Sequence, residues 1–352
     1  MIIMEKNATT EQINAIIEEI ISCGLKVDVS YGEIRTVIGI IGDENKLSFT
    51  TLSLMPGVKE AKPIEKSYQL IGHDCGQTAR RIIKLGDVQI GGSEPVIIAG
   101  PCAVESKEQV FRMAKEVRSA GGHILRGGIF KPRTSVRSFQ GLGAKGEAEA
   151  KEALGWLRAA GHEYEMPVVT EVRGESHTEL VAEYADILQI GSRNMYNQDL
   201  LSKVGKLGKP VLLKRHFGAS IEDFLSYAEY IAAEGNKDII LCERGVLPVG
   251  KGESYSRYIL DLGAIPIIQK ETYLPVIVDP SHASGRNDLI FAMSCAAVGA
   301  GANGLMIESH YNPRESYVDA KQAITPDELK NIITATTEMN KIAIRYRQTN
   351  FL

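Results

Sequence analysis

The residues best suited to chemistry are scattered along this chain and share one habit: each follows a short apolar run. Arg126, Lys131 and Arg133 fall within eight residues around Gly127-Gly128, beside the hydroxyls of Thr134 and Ser135. Cations next to hydroxyls on a glycine-containing loop suit a doubly anionic, phosphorylated ligand. Arg193, Lys214 and Arg244 repeat the theme farther on. Together with Arg126 and Lys131 they supply enough positive charge for a phosphate and a carboxylate on one small molecule. A second group, Cys102, His282, Glu308 and Asp319, offers one thiolate, one imidazole and two carboxylates. That mixture suits a divalent transition metal of the Mn, Fe, Co or Zn class better than Mg or Ca, which prefer oxygen alone. Taken singly, each residue is more simply a helix cap, a surface charge or part of a solvated basic loop. The simple readings weaken because nearly every apolar run is followed by such a residue.

A repeating fold must bring them together. Apolar, β-rich runs at 96–99, 123–126, 167–170, 187–190, 211–214, 239–242, 276–279 and 304–307 alternate with amphipathic helical stretches such as 221–231. Near-continuous apolarity marks strands buried on both faces, as in a parallel sheet. Eight such strands with eight helices over roughly 250 residues predict a (β/α)8 barrel. An open doubly wound sheet would more usually have five to seven strands. In a barrel the C-terminal strand ends form one face, where active sites sit. Cys102 then follows the first strand, and Arg126 and Lys131 the second. Glu171 ends the third, Arg193 the fourth and Lys214 the fifth. Glu243-Arg244 end the sixth, His282 the seventh and Glu308 the eighth, with Asp319 in the loop beyond.

Residues 1–66 read as a separate α+β unit. A helix over 10–22 presents Ile13, Ile16, Ile17 and Ile20, and strands are expected at 26–30, 36–41 and 58–63, with a weak helix at 48–54. The pattern is of the split βαβ type. Residues 67–95 link this unit to the barrel at 96–352, with Val88-Gln89-Ile90 placed to plug the barrel floor.

Bulk properties narrow the choice. Lys+Arg 40 against Asp+Glu 44 leaves a net charge of -4, which gives no support to nucleic-acid binding. No apolar run approaches the roughly 20 residues of a membrane span. The N-terminus, MIIMEKNATTEQ, has no basic region leading into a long apolar core, so no signal peptide is expected. Cys23, Cys75, Cys102, Cys242 and Cys295 are an odd, scattered set without CxxC spacing, which fits a reducing cytoplasm better than a disulfide framework.

At its motifs the chain resembles the 3-deoxy-D-arabino-heptulosonate 7-phosphate (DAHP) synthase family, in the short-barrel branch carrying an N-terminal ferredoxin-like regulatory domain. The motifs are Gly100-Pro101-Cys102, LRGGIFKPRTS (125–135), SFQGLG (138–143), DILQIGSRNM (186–195), KPVLLKR (209–215), ILCERG (240–245), DPSH (279–282) and Glu308. The Lys-Pro-Arg-Thr-Ser run favours this family over the related octulosonate 8-phosphate synthases. The resemblance implies that Cys102, His282, Glu308 and Asp319 bind the metal and that no organic cofactor is needed. It implies that Arg193, Lys214 and Arg244 hold the phosphate of phosphoenolpyruvate, with Arg126 and Lys131 near its carboxylate and the reacting centre. Glu171 would position phosphoenolpyruvate or a water, and Arg133, Thr134 and Ser135 would bind the aldose phosphate. It further implies a homotetramer and an aromatic amino-acid effector.

The chain also departs from the family. Val136-Arg137 stand where Pro-Tyr is usual, and Lys214-Arg215-His216 where Lys-Arg-Gly is usual. Glu308-Ser309-His310 replaces Glu-Val-His, and the segment after Glu243-Arg244-Gly245, from Val246 to Tyr258, is longer and richer in glycine. Asp28-Val29-Ser30 stands where feedback-inhibited relatives carry His-x-Ser. The surroundings of the second substrate are therefore altered, and Arg137 favours an anionic group there. Loop 246–256 is expected over the barrel mouth. Two alternatives accompany the leading reading: condensation of phosphoenolpyruvate with a different aldehyde, and a non-catalytic ligand sensor. The intact metal quartet argues against the sensor.

Overall fold

The computed structural model describes the chain except for residues 33–34, 64–65, 74–76, 78, 132–136, 249–254 and 351–352, and the side chains of 45 and 346–350. It divides into two units, Met1–Ser67 and Tyr68–Leu352.

In the first unit, β1 (Ile2–Met4), β2 (Lys26–Tyr31), β3 (Thr36–Ile41) and β4 (Val58–Ala61) form an antiparallel sheet in the order β2-β3-β1-β4. α1 (Thr10–Ser22) starts at a reciprocal cap, with Thr9 Oγ1 accepting from Gln12 N and Gln12 Oε1 accepting from Thr9 N. Its Ile13, Ile16 and Ile20 face the sheet and bury Ile2, Met4, Ile38 and Ile40. α2 (Phe49–Ser53) adds Leu52 to the same core. The helix bounds agree with the apolar spacing in the sequence. Strand β1 was not anticipated, because three residues are too few to show a period. The strand expected to reach 63 ends at Ala61.

The second unit opens with a hairpin, β5 (Ile83–Leu85) and β6 (Val88–Ile90). The barrel runs β7 (Val96–Gly100), α3 (Lys107–Ala120), β8 (Ile124–Arg126), α4 (Glu147–Glu163), β9 (Val168–Glu171), α5 (Thr178–Tyr184), β10 (Ile187–Ile190) and α6 (Gln198–Lys206). It continues with β11 (Val211–Lys214), α7 (Ile221–Ala233), β12 (Ile239–Glu243), α8 (Ala264–Glu271), β13 (Val276–Val278), the short α9 (Pro280–Ser284), α10 (Ile290–Ala300), β14 (Gly304–Glu308) and α11 (Pro326–Asn350). The eight strands are parallel, and β14 closes the ring on β7, with Gly304 opposite Val96 and Glu308 opposite Gly100.

Side chains alternate across the barrel wall, as the two-residue period of a strand requires. Ile97, Leu125, Val168, Leu188, Leu213, Leu241, Val278 and Ile307 pack outward among the helices. Val96, Ile98, Ile124, Val169, Ile187, Leu212, Ile240, Cys242, Ile277 and Met306 fill the interior, joined by Ile83 and Ile90 of the hairpin. The hairpin thus plugs one end of the ring. No described helix is long and apolar enough to cross a membrane.

Candidate active site

The site is the barrel interior carried one step farther. Two places beyond an interior residue the same face continues, and there the side chains turn polar. Ile124 leads to Arg126, Val169 to Glu171, Ile187 to Gln189 and Leu212 to Lys214; Cys242 leads to Arg244, Ile277 to Asp279 and Met306 to Glu308. On β7 the equivalent position is Gly100. A Cβ there would lie 2.3 Å from the Arg126 carbonyl oxygen, and φ is +145°, so only glycine lets the strands approach. A cavity of about 1090 Å³ opens above this layer. Arg126, Lys131, Glu171, Arg193, Lys214 and Arg244 all line it, as do His282 and Asp319.

The four candidate ligands converge. Cys102, His282, Glu308 and Asp319 each offer an atom within 4.8 Å of the others. The Cys102 thiol donates to Asp319 Oδ2 at 3.1 Å, and His282 Nε2 lies 3.3 Å from Glu308 Oε1. Asp279 caps α9, its Oδ1 accepting from His282 N at 2.8 Å, while its Oδ2 lies 2.8 Å from His282 Nδ1. A carboxylate at Nδ1 fixes the proton there and leaves the Nε2 lone pair facing the other ligands. Glu308 accepts from Arg126 Nη1 at 3.0 Å and from Gln322 Nε2 at 2.6 Å. Asp319 has φ +54°, a left-handed conformation that costs an L residue about 1 kcal/mol. Gln322 N donates to its carbonyl at 3.0 Å.

Burial sets the charge states. Burial pushes the Cys102 thiol well up, and Glu308 and Asp319 push it further, so it keeps its proton. Burial would raise Glu308 too, but His282, Arg126 and Lys131 outweigh it and hold the carboxyl well below the usual range. Asp279 behaves alike: burial is overcome by His282 and Lys214. Burial lowers His282 against the pull of Asp279 and Glu308, leaving the neutral imidazole that ligates metals. For Lys131 burial is overridden by Cys102, Glu308 and Glu171, which raise it and keep the ammonium charged. A sulfur, a neutral imidazole and two crowded carboxylates fit a transition-metal ion, whose positive charge would relieve the repulsion between Glu308 and Asp319.

The cations are held in different ways. Arg126 pairs with Glu308, and Lys214 forms a buried ion pair with Asp279. Arg244 Nη2 donates to the His282 carbonyl at 3.3 Å. Glu171 accepts from Gln189 Nε2 at 3.1 Å. Arg133, Thr134 and Ser135 lie outside the described residues, as do 249–254 of the expected lid. Of that loop, Tyr255 and Ser256 line the cavity. Arg137 is exposed and is not among the residues lining it.

Glu243, expected on the functional face beside Arg244, is turned the other way. It lies one residue off the inward register, is fully buried, and accepts from Arg215 Nη1 at 2.8 Å and from Gly245 N at 2.6 Å. Residues not anticipated as functional are Asp279, Gln189 and Gln322. The first two follow from the period of two, and Asp279 also carries a cap signal, sitting before Pro280 and three places before His282. Gln322 has no such signal.

A closed barrel with a cation-lined mouth and a buried thiol–imidazole–carboxylate cluster defines a barrel enzyme. The chain belongs to the DAHP synthetase I family, whose profile matches residues 66–345, and the profile of the DAHP synthase ferredoxin-like domain matches residues 1–66. It is 44% identical over 343 residues, 97% of each chain, to the phospho-2-dehydro-3-deoxyheptonate aldolase of Thermotoga maritima. The crystal structure of that enzyme superposes with a TM-score of 0.89 at 42% identity, covering 98% of this chain and 97% of its own. A 2-dehydro-3-deoxyphosphooctonate aldolase of Syntrophobacter fumaroxidans is 28% identical over 270 residues, 72% of this chain and 90% of that one.

Proposed function

We propose that this chain condenses phosphoenolpyruvate with erythrose 4-phosphate to give DAHP and inorganic phosphate, the first step of the shikimate pathway. The observation that carries this reading is the cation-lined cavity resting directly on the Cys102, His282, Glu308 and Asp319 cluster. Arg193, Lys214 and Arg244 hold the phosphate of phosphoenolpyruvate, and Arg126 and Lys131 lie at its carboxylate. Arg133, Thr134 and Ser135 take the phosphate of the aldose. A divalent transition metal bound by the four-residue cluster supplies polarisation of the aldehyde carbonyl. The methylene carbon of phosphoenolpyruvate forms the new C–C bond to that carbonyl carbon. The ammonium of Lys131 gives a proton to the new alkoxide. Water, positioned by Glu171, adds at the former enol carbon as one of its protons passes to the now neutral Lys131 amine; the C–O bond to phosphate then breaks, and the new hydroxyl gives its proton to the departing phosphate to leave the ketone.

Phosphate release from phosphoenolpyruvate, followed across a panel of aldose phosphates, tests the reading. Erythrose 4-phosphate is expected to give the highest kcat/KM. A higher value for another aldehyde would reassign the pathway while leaving the reaction type, and no release with any aldehyde would end the enzymatic reading. A regulatory role for residues 1–66 belongs to the same assay, run with tyrosine and phenylalanine, with and without that unit. Asp28 and Ser30 are exposed on edge strand β2. Equal inhibition of both forms would exclude the unit as sensor. The family resemblance supports a homotetramer, which sedimentation would contradict by showing a smaller species.

Metal removal and pH give a separate expectation. Chelation should abolish turnover, and Mn or Co should restore it. Because Cys102 is a thiol before the metal arrives, binding must release its proton. Affinity should therefore fall about tenfold for each pH unit of acidification below the thiol pKa. Calorimetry in two buffers of different ionisation enthalpy should show about one proton released. Zero release would contradict thiolate ligation.

A further inference from the structure

We propose that Tyr258 is a positioning residue for the phosphate-binding guanidinium of Arg244, an inference that rests on the role given to Arg244 above. Two other buried cations of the site are fixed by carboxylates, Arg126 by Glu308 and Lys214 by Asp279. Arg244 is held differently. It is 5% exposed, and its guanidinium carbon lies 4.2 Å from the centre of the Tyr258 ring. Its Nη2 makes one long bond to the His282 carbonyl, and its buried Nη1 finds no hydrogen-bond partner among the described residues. A buried guanidinium with an idle donor would normally rotate until it found an acceptor. A ring face fixes the guanidinium plane without using any N–H and without cancelling its charge. The donors remain for an oxyanion in the cavity, which both Arg244 and Tyr258 line.

The ring itself is well placed. It stacks on Phe217 with centroids 5.4 Å apart and planes 18° apart. The Tyr258 N–H donates to the Ala283 carbonyl at 2.8 Å, next to His282, and Arg257 N donates to Ser284 O at 2.8 Å. Val246 and Ile259 exchange two backbone bonds of 2.9 Å, tying the segment down at the residues flanking the loop. Gly245, directly after Arg244, permits the approach: with φ +94°, a Cβ there would lie 2.7 Å from Tyr258 Cβ and 3.2 Å from Ala283 Cβ. Tyr258 belongs to the 246–258 segment in which the sequence departs from the family pattern. The departure thus reaches the phosphoenolpyruvate side of the cavity as well as its mouth.

The test uses the full chain, with calorimetric titration of phosphoenolpyruvate, a parallel titration of inorganic phosphate, and steady-state kinetics. Tyr258→Leu and Tyr258→Gln are expected to weaken both ligands and raise the phosphoenolpyruvate KM about tenfold. The kcat and the aldose phosphate KM should stay within about threefold of wild type. Tyr258→Phe, which keeps the ring face, is expected to hold phosphoenolpyruvate affinity within about twofold. Wild-type affinity in the Leu and Gln variants would overturn the proposal, as would a Phe variant as weak as they are. It is also overturned if Leu and Gln both lose the near-ultraviolet circular dichroism of the folded protein, since the ring would then be a structural support. If wild type binds no phosphoenolpyruvate, the functional reading has failed instead, and the inorganic phosphate series alone decides the role of Tyr258.

Discussion

Asp279→Asn is expected to lower affinity for a divalent transition metal by about 10- to 100-fold and to destabilise the protein by about 3–5 kcal/mol. Asp279 is fully buried and serves two partners, His282 on one side and the Lys214 ammonium on the other. An amide keeps the shape and can still accept from His282 N. It removes the charge opposite Lys214, leaving a buried ammonium unpaired. It also presents an N–H₂ to His282 Nδ1, which favours the tautomer with the proton on Nε2 and so occludes the ligating lone pair. Metal titration and urea unfolding of the metal-free protein measure the two effects. The sign with pH is set by the depressed pKa. Wild-type stabilisation from Asp279 is fully present above the unfolded value of about 3.9 and is lost as pH falls through the lower folded value. The difference between wild type and variant should therefore shrink only in strong acid. Unchanged metal affinity in Asp279→Asn would show that His282 needs no carboxylate to orient it.

Arg215→Ala should cost about 3–5 kcal/mol and lower the melting temperature by roughly 10 °C while leaving the cavity lining intact. Arg215 joins three partners, Glu243 at 2.8 Å, Asp261 at 2.9 Å and the Ala219 carbonyl at 2.9 Å. Removing it strands Glu243 in a site with no solvent access. Burial already raises the Glu243 carboxyl against the pull of Arg215, so losing Arg215 would raise it further and favour its protonated form. The double variant Arg215→Met, Glu243→Gln should recover much of the loss, because Gln can still accept from Gly245 N and no lone charge stays buried. Calorimetric melting of the two variants decides this. A double variant no more stable than Arg215→Ala would mean that Arg215 acts by packing rather than by neutralising Glu243.

Much of this architecture was legible in the residues. The eight apolar runs are the eight strands, and each cation or ligand named at a strand end, within the described residues, reaches the cavity or its floor. The limits were physical. Strand β1 is too short to carry a period. Glu243 and Arg244 are adjacent, and adjacent residues in a strand face opposite ways; counting inward places from Ile240 and Cys242 would have assigned Arg244 to the cavity and Glu243 to the helix side. The same count marks Asp279 as an interior group. Gln322 and the strained Asp319 depend on how one loop folds back, which no local pattern encodes. The Tyr258–Arg244 contact joins two neighbouring segments through a glycine, and an aromatic residue in a glycine-rich stretch gives no hint of its partner.

The closing seam of the ring lies between β14 and β7. Cys102 sits just past one side of it and Glu308 ends the other, and the thiol meets a carboxylate 217 positions farther along the chain. That contact is highly non-local, and such contacts form late because a long loop must close first. During synthesis no cage for an ion can exist until the ribosome has delivered Asp319. An ion seated there would also act as a rivet across the seam, making loss of the ion and opening of the ring the same event seen from two sides.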